Sequence, residues 1–298
     1  MQMLNGVIIK GYSGFYYVQT EQGLVECSLR GKHKLSKTSF LAGDKVQILL
    51  EKNNNKLVGS IENVEKRTTE LLRPQIANVS LLVIVVAASL PPVDLQLLDR
   101  LTVLAEFAGV KPCLAVNKAD DQLERSAELV QTYQKAGFKA LATDAVTGKG
   151  MEELKKILSA EITVFAGQSG VGKSSLLNRI LENNIMPIGI LSEKTKRGRH
   201  TTRHTELFAL KSGGFIADTP GFSRLDFPLG ITKYNLRDYF PEFLNYSKEC
   251  RFGSCIHRSE PDCAVKKALA LEEIGKTRYD NYCYFLAELE KYGRRNNG

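Results

Sequence analysis

Residues 167–175 read Gly-Gln-Ser-Gly-Val-Gly-Lys-Ser-Ser, and the predicted architecture follows from them. The first eight of these residues fit G-x-x-x-x-G-K-[ST], a pattern whose backbone N–H groups surround a phosphate. A short apolar run at 162–166 is typical of a buried parallel strand, and 174–181 has the apolar spacing of a helix. A strand, a glycine turn and a helix N-terminus together predict a phosphate-binding loop. Its candidate contact residues are Gly167, Gln168, Ser169, Gly170, Val171, Gly172, Lys173, Ser174 and Ser175.

Two side chains of this stretch carry separate roles. The Lys173 ammonium would reach the β- and γ-phosphates, and the Ser174 hydroxyl would ligate Mg²⁺. The alternative is a glycine-rich turn that matches by chance, but the flanking strand and helix favour the phosphate loop.

A second motif, Asn117-Lys118-Ala119-Asp120, follows the apolar run at 111–116 and matches [NT]-K-x-D. The Asp120 carboxylate can accept hydrogen bonds from guanine N1–H and N2–H₂, whereas adenine would leave that carboxylate unpaired. Asn117 would bond near N7 and tie two loops together, and the Lys118 stem would lie along the base. The backbone N–H of Ala145 could meet guanine O6. A solvated loop is the alternative, but beside a phosphate loop the motif predicts guanine binding.

A third motif, residues 218–221, is D-x-x-G, and it lies at the end of a predicted strand. Asp218 would hold Mg²⁺ through water, and the Gly221 N–H would contact the γ-phosphate. Ras-like GTPases carry the guanine motif last, whereas here it precedes the phosphate loop. Strands and helices alternate over 69–225, which predicts a doubly wound parallel sheet in circularly permuted order.

The stretch 194–202 is rich in Lys, Arg and Gly and corresponds to a first switch. Thr201 or Thr202 could add a hydroxyl to Mg²⁺, and His200 could orient the attacking water or be one more solvated residue. Phe222 stands where Ras-like enzymes have a water-positioning glutamine, so slow intrinsic turnover is expected.

The N-terminal residues 1–68 contain five short strand candidates, at 7–9, 15–18, 24–27, 46–50 and 57–64. Five short strands with glycine turns predict a small closed barrel of the OB type. Such a barrel can hold single-stranded RNA by stacking and charge, here with Phe15, Tyr16 and Tyr17 as candidate stacking residues. The net charge of +8 also suits a polyanionic partner, although ordinary soluble proteins reach such values.

The C-terminal region, 226–298, contains Cys250, Cys255, His257 and Cys263. Three thiolates and one imidazole make a closed tetrahedral set for structural Zn²⁺, with reduced buried cysteines as the alternative. Residues 264–271 and 279–292 are predicted helices around this site. The basic side chains of this region that could face RNA are Lys266, Lys267, Lys276, Arg278, Arg294 and Arg295.

Features of the whole chain bear on where it works. The N-terminus has no signal-peptide pattern, and the most apolar run, 79–88, is too short to cross a bilayer. We therefore expect no membrane partner. Separately, we expect a monomer in the cytoplasm, the location that the family resemblance given next implies.

These motifs, in this order, resemble the bacterial ribosome small-subunit-dependent GTPase A family. The resemblance covers essentially the whole chain. It implies an OB barrel (1–68), a permuted GTPase domain (69–225) and a zinc-binding domain (226–298). It implies a GTPase that acts late in assembly of the 30S subunit and contacts the 16S rRNA of that subunit. It also implies that the 30S subunit stimulates GTP hydrolysis. It also implies that His200 is catalytic and that Cys250, Cys255, His257 and Cys263 bind zinc. The sequence Asp144-Ala145-Val146 departs from the family's S-A-x.

Two other functions fit the motifs. One is a permuted GTPase of large-subunit assembly, and the other is a GTP-gated RNA-binding adaptor in which hydrolysis is incidental.

Overall fold

The computed structural model describes residues 2–12, 14–29, 39–53, 56–72, 74–182, 205–220 and 225–295. The chain forms two compact units. The first consists of Met1–Leu82, Glu152–Phe165 and Ser174–Ser223, and the second of Val83–Met151, Ala166–Lys173 and Arg224–Gly298. Each unit therefore draws on separate stretches of the chain.

The N-terminal strands form a closed barrel in the order β1-β2-β3-β5-β4. Alternate side chains, including Val18, Val25, Ile48 and Ile61, fill its interior. The predicted barrel is confirmed, with longer strands than the apolar runs alone suggested. The strands are β1 (Gln2–Tyr12), β2 (Phe15–Thr20), β3 (Gly23–Leu29), β4 (Lys45–Asn53) and β5 (Lys56–Val64).

A short hairpin, β6 (Glu70–Leu72) and β7 (Gln75–Ala77), follows the barrel as a separate two-stranded sheet. The sequence does not predict this hairpin, because strands of three residues are too short to show an alternating pattern.

A six-stranded sheet of order β10-β9-β8-β11-β13-β12 matches the predicted α/β arrangement. Strand β8 is buried along its whole length, as expected for a strand with covered faces. Pairs β9–β10 and β11–β13 are parallel, and the edge strand β12 is antiparallel to β13. The strands are β8 (Leu81–Ala87), β9 (Lys111–Asn117), β10 (Lys139–Ala142), β11 (Ile162–Ala166), β12 (Leu207–Ala209) and β13 (Phe215–Pro220).

Four helices accompany these strands: α1 (Leu95–Phe107), α2 (Leu123–Lys135), α3 (Met151–Leu158) and α4 (Lys173–Leu181). Helix α1 begins directly after Asp94, because the Asp94 carboxylate accepts the Leu97 N–H at 2.9 Å and so satisfies one of the free donors of the first turn.

The C-terminal region is helical, with α5 (Pro241–Ser247), α6 (Ala264–Ala270) and α7 (Lys276–Arg295). Its core is aromatic: the rings of Phe240, Phe243, Tyr282 and Phe285 are fully buried. The expectation that Arg278 faces RNA is wrong, because only 1% of this residue is exposed. Two carboxylates and three aromatic rings surround its guanidinium, which a surface lysine or arginine would not have.

Among the residues that the structure describes, no helix has both the length and the apolar character needed to cross a membrane.

Candidate functional site

The loop between β11 and α4 has a backbone that requires its glycines. Gly167 has φ +136, and a Cβ there would lie 2.1 Å from the carbonyl oxygen of Val85 in β8. Gly172 has φ +92, and its Cβ would lie 2.3 Å from Nδ2 of Asn117. A side chain at Gly167 would therefore displace the backbone of β8, and a side chain at Gly172 would displace the Asn117 side chain.

The Lys173 side chain folds back over this loop. Its Nζ donates to the carbonyl oxygens of Gly167, at 2.8 Å, and Gln168. Burial lowers the pKa of Lys173 to about 8. A bound anion would take the place of these two carbonyl oxygens as the partner of the Lys173 ammonium. The partly desolvated ammonium would then face a full negative charge and not two carbonyl dipoles.

The Asn117 side chain connects two loops. Its Nδ2 donates to the Val171 carbonyl at 2.9 Å, and its Oδ1 accepts the Ala145 N–H at 3.2 Å. Lys118, in left-handed conformation with φ 56, donates from Nζ to the carbonyl oxygens of Gly170, at 3.0 Å, and Leu90. The guanine motif and the phosphate loop are thus hydrogen-bonded into one assembly.

Asp120 is held by two side chains that the sequence analysis did not single out. Thr147 Oγ1 donates to one carboxylate oxygen and Lys149 Nζ to the other, both at 2.8 Å. The Lys149 bond, followed by the Thr147 bond, lowers the pKa of Asp120. Asp144, where the family pattern has serine, instead accepts the N–H groups of Val146 and Thr147 and so shapes the turn.

This departure from serine was visible in the sequence. A carboxylate at position 144 accepts hydrogen bonds and, unlike a serine, cannot donate to Asp120. No sequence pattern pointed to Thr147 and Lys149 as the donors.

For the remaining predicted nucleotide and magnesium residues, the structure gives at most the element in which they lie. Ser174 and Ser175 lie in the first turn of α4, and Asp218 lies in β13. Gly221, His200, Thr201, Thr202 and Phe222 fall outside the described residues.

The predicted metal ligands come together in the C-terminal region. The ligand atoms of Cys250, Cys255, His257 and Cys263 all lie within 4.8 Å of one another. Nδ1 of His257 is 3.6 Å from Sγ of Cys250 and 3.4 Å from Sγ of Cys263, and the two sulfurs are 3.9 Å apart. Bonds of ~2.3 Å to sulfur and ~2.0 Å to nitrogen give tetrahedral edges of about 3.5–3.8 Å, so the donor set fits Zn²⁺.

The surroundings hold the loop that carries these ligands. The hydroxyls of Tyr279 and Tyr282 in α7 donate to the carbonyl oxygens of His257, at 2.6 Å, and Ile256, at 2.7 Å. The Glu260 carboxylate accepts three backbone N–H groups of the same loop.

Burial sets the protonation of the free ligands. It raises the pKa of the Cys255 thiol and lowers the pKa of His257 to about 4, so the imidazole is neutral and ready to bind a metal. A cation is therefore needed to hold the thiols in their thiolate form.

The barrel separates the three aromatic residues proposed for stacking. Phe15 is 48% exposed, whereas the partly buried Tyr16 packs on Phe40, with ring centroids 5.3 Å apart, and against the barrel core. The stacking expectation for Tyr16 is therefore wrong, because it faces away from Phe15 on an alternating strand.

Fold and motifs define a class: P-loop proteins in which a guanine-type motif precedes the phosphate loop. Comparison with protein families agrees. The family model described as RsgA GTPase matches residues 64–228, and that described as RsgA N-terminal domain matches residues 5–58.

Curated relatives and solved structures cover the whole chain. A protein of Caldanaerobacter subterraneus subsp. tengcongensis, named small ribosomal subunit biogenesis GTPase RsgA, is 44% identical over 99% of both chains. A protein of the same name from Moorella thermoacetica is 46% identical over 96% of this chain and 97% of its own. The crystal structure of YloQ, described as a circularly permuted GTPase, superposes with a TM-score of 0.81 at 34% identity, covering 98% of this chain and 96% of YloQ. The crystal structure of YjeQ from Thermotoga maritima superposes with a TM-score of 0.79 at 34% identity. The match covers 97% of this chain and 99% of YjeQ.

This chain therefore belongs to the RsgA family of circularly permuted GTPases, and it is a GTPase. The fold class predicted from the sequence is confirmed.

Proposed function

We propose that this GTPase acts in the biogenesis of the small ribosomal subunit, as its relatives' name states of them. It hydrolyses GTP to GDP and phosphate late in assembly, on the 30S subunit, and the subunit stimulates the reaction. GTP holds the protein in its subunit-binding form, and hydrolysis releases it. We propose that it does so in the cytoplasm, as a monomer.

The observation that carries the nucleotide assignment is the set of bonds between the two loops. Asn117 bonds the Val171 carbonyl and Lys118 bonds the Gly170 carbonyl, so the base-reading motif is fixed relative to the phosphate loop. A ligand that fills both places must carry a base and a phosphate chain at one set distance. GTP and GDP meet that requirement.

The residues divide the nucleotide between them. Asp120 accepts guanine N1–H and N2–H₂, and the Ala145 N–H, which meets Asn117 Oδ1 in this structure, turns to O6. Residues 167–175 hold the phosphates, with the Lys173 ammonium on the β- and γ-phosphates.

Magnesium and the attacking water complete the site. Ser174 and one of Thr201 and Thr202 would offer hydroxyls to Mg²⁺, Asp218 would hold the ion through water, and the Gly221 N–H would meet the γ-phosphate. A neutral His200 imidazole would orient the attacking water. When bound, the ion would neutralise charge on the phosphate oxygens while the γ-phosphoryl group passes to water.

Two further regions serve the ribosome. The barrel, residues 1–68, binds 16S rRNA. Residues 69–225 form the GTPase domain. Residues 226–298 fold around one structural Zn²⁺ held by Cys250, Cys255, His257 and Cys263, which suits a recognition surface that does no chemistry.

Asp120→Asn tests the base assignment. An amide donates where guanine N2–H₂ also donates, whereas xanthine offers an acceptor there, so preference should move from GTP to XTP. Competition of both nucleotides against a fluorescent GDP analogue measures this preference. An unchanged preference for GTP would remove Asp120 from the base site, and Asp121→Asn, one residue further on, is the matched control.

A further inference from the structure

One face of the β1–β2 hairpin carries three aromatic side chains and a lysine. The strands pair Lys10 with Tyr17 and Tyr12 with Phe15, and side chains of directly paired residues lie on the same face. Tyr12 is 65% exposed and Phe15 48%. We call these four residues, Lys10, Tyr12, Phe15 and Tyr17, the hairpin face.

The lysine of this face already has an anionic partner. Lys10 Nζ lies 2.8 Å from the Glu206 carboxylate and 5.2 Å from the centre of the Tyr17 ring. A cavity of about 290 Å³ opens at this point and is lined by Lys10, Gly11, Tyr12, Tyr17 and Glu206. The ion pair is more than a third exposed on both sides, so water and ions reach it and it is weak.

Glu206 does not belong to the barrel. It directly precedes the edge strand β12, which pairs with β13 in the register Leu207 to Ala217. The next residue of β13 after Ala217 is Asp218, the first residue of the D-x-x-G motif. The partner of Lys10 therefore lies one residue before the strand that is hydrogen-bonded to β13, which carries Asp218.

We propose that the hairpin face binds single-stranded RNA and that Glu206 competes with an RNA phosphate for Lys10. The proposal rests on the function proposed above, and it deepens it by naming the contact and its competitor. Bases stack on Tyr12, Phe15 and Tyr17, and a phosphate replaces the Glu206 carboxylate at the ammonium. RNA on the barrel and the Lys10–Glu206 pair then exclude each other.

The chemistry of the face selects this occupant. Exposed aromatic rings beside a cation stack bases and bind the backbone between them, without sequence preference. The chain has a net charge of +8, so the long-range field attracts a polyanion even though Glu206 neutralises Lys10 locally. A phosphate brings the same charge-assisted bond that Glu206 supplies, so the exchange costs little.

The experiment uses the full chain with GDP and a fluorescent oligouridylate of about twelve nucleotides, which fits one OB-type barrel. Anisotropy titrations at several salt concentrations give the affinity and its salt slope. Phe15→Ala should weaken binding on the order of tenfold with an unchanged slope, because it removes stacking only. Lys10→Met should weaken binding and reduce the slope by about 0.7, the contribution of one phosphate contact. Met3→Ala, an equally exposed apolar residue (44%) elsewhere on β1, should change neither.

Glu206→Gln is the decisive variant. It should strengthen RNA binding several-fold, and Lys10→Met should abolish that gain in the double variant. Glu26→Gln is the charge-matched control, since Glu26 pairs with Tyr17 across β2–β3. Glu26→Gln should strengthen RNA binding less than Glu206→Gln does. That smaller increase in affinity should remain when Glu26→Gln is combined with Lys10→Met.

The outcomes separate the two levels of the proposal. If Phe15→Ala and Lys10→Met leave RNA binding unchanged, the barrel face is not an RNA surface, and a protein partner is left as the ligand of the aromatic residues. If both weaken binding but Glu206→Gln behaves like Glu26→Gln in both backgrounds, RNA binding by the barrel stands and the competition by Glu206 is refuted.

Discussion

At the scale of single residues, the desolvated ammonium of Lys173 makes nucleotide binding depend on pH. Burial lowers its pKa to about 8 in the ligand-free loop. Bound phosphates raise that pKa, so binding takes up a proton when the pH is near or above the free value. The affinity for GDP is therefore full below about pH 8 and falls as the pH rises through the free-state pKa.

Calorimetry at about pH 8 in two buffers of different ionisation enthalpy measures this proton. We predict different apparent enthalpies of GDP binding in the two buffers, corresponding to uptake of a fraction of a proton. Lys173→Met should abolish the buffer dependence of whatever binding it retains. Equal enthalpies for the unmodified protein would show that the ammonium is already fully protonated before the phosphates arrive.

Single residues also differ in how far their roles could be predicted from the sequence. The roles of Gly167 and Gly172 were predictable because the phosphate-loop motif fixes a backbone geometry, and their positive φ values agree. The donors to Asp120 were not predicted, since Thr147 and Lys149 belong to no motif and their partner lies 27 and 29 positions away. Contacts of that kind depend on how two loops meet in space.

At the scale of elements, Arg278 joins three helices. From α7 it donates to Asp99 in α1 at 2.6 Å and to Glu242 in α5 at 2.7 Å. Asn281 of α7 also donates to Asp99, at 2.6 Å. With two carboxylates against one guanidinium, the buried cluster depends on that single cation.

Arg278→Met keeps the bulk and removes the charge, which leaves Asp99 and Glu242 facing each other without a cation. We predict a loss of about 3–5 kcal/mol in the free energy of unfolding, measured by urea denaturation. Lys276→Ala, which breaks an exposed pair with Asp280 on the same helix, should cost under about 1 kcal/mol. Similar losses for both variants would mean that the buried cluster contributes no more than a surface pair.

Elements with strong periodicity were predictable, and short ones were not. Strand β11 lies at the bounds that its apolar run predicts. Strand β12 and helix α5 were missed because three and seven residues carry too little periodicity, and their partners stabilise them. Arg278 was misplaced for a related reason: nothing local distinguishes a buried arginine with distant carboxylates from a solvated one.

At the scale of the whole molecule, the Cys₃His set predicts that metal and folding are coupled in the C-terminal region. Purified protein should contain about one Zn²⁺ per chain by metal analysis, and Cys255→Ala should lose it and lower the melting temperature. Cys283→Ala makes the same chemical change outside the ligand set and should keep the metal.

The pH dependence of this site has a definite sign. Burial raises the pKa of the Cys255 and Cys263 thiols, so protons compete strongly with the metal, and zinc should be released as the pH falls. Freshly purified protein without zinc would refute the assignment of the four residues as a metal site.

The central claim is that the small ribosomal subunit stimulates hydrolysis of GTP by this protein. Multiple-turnover phosphate release, measured alone and with purified 30S or 50S subunits, tests it most directly. We predict slow turnover alone, a large increase with 30S subunits and little change with 50S subunits, with Lys173→Ala as the inactive control. Stimulation by 50S subunits alone would assign the protein to large-subunit assembly, and equal slow rates in all three conditions would mean that hydrolysis is incidental to RNA binding.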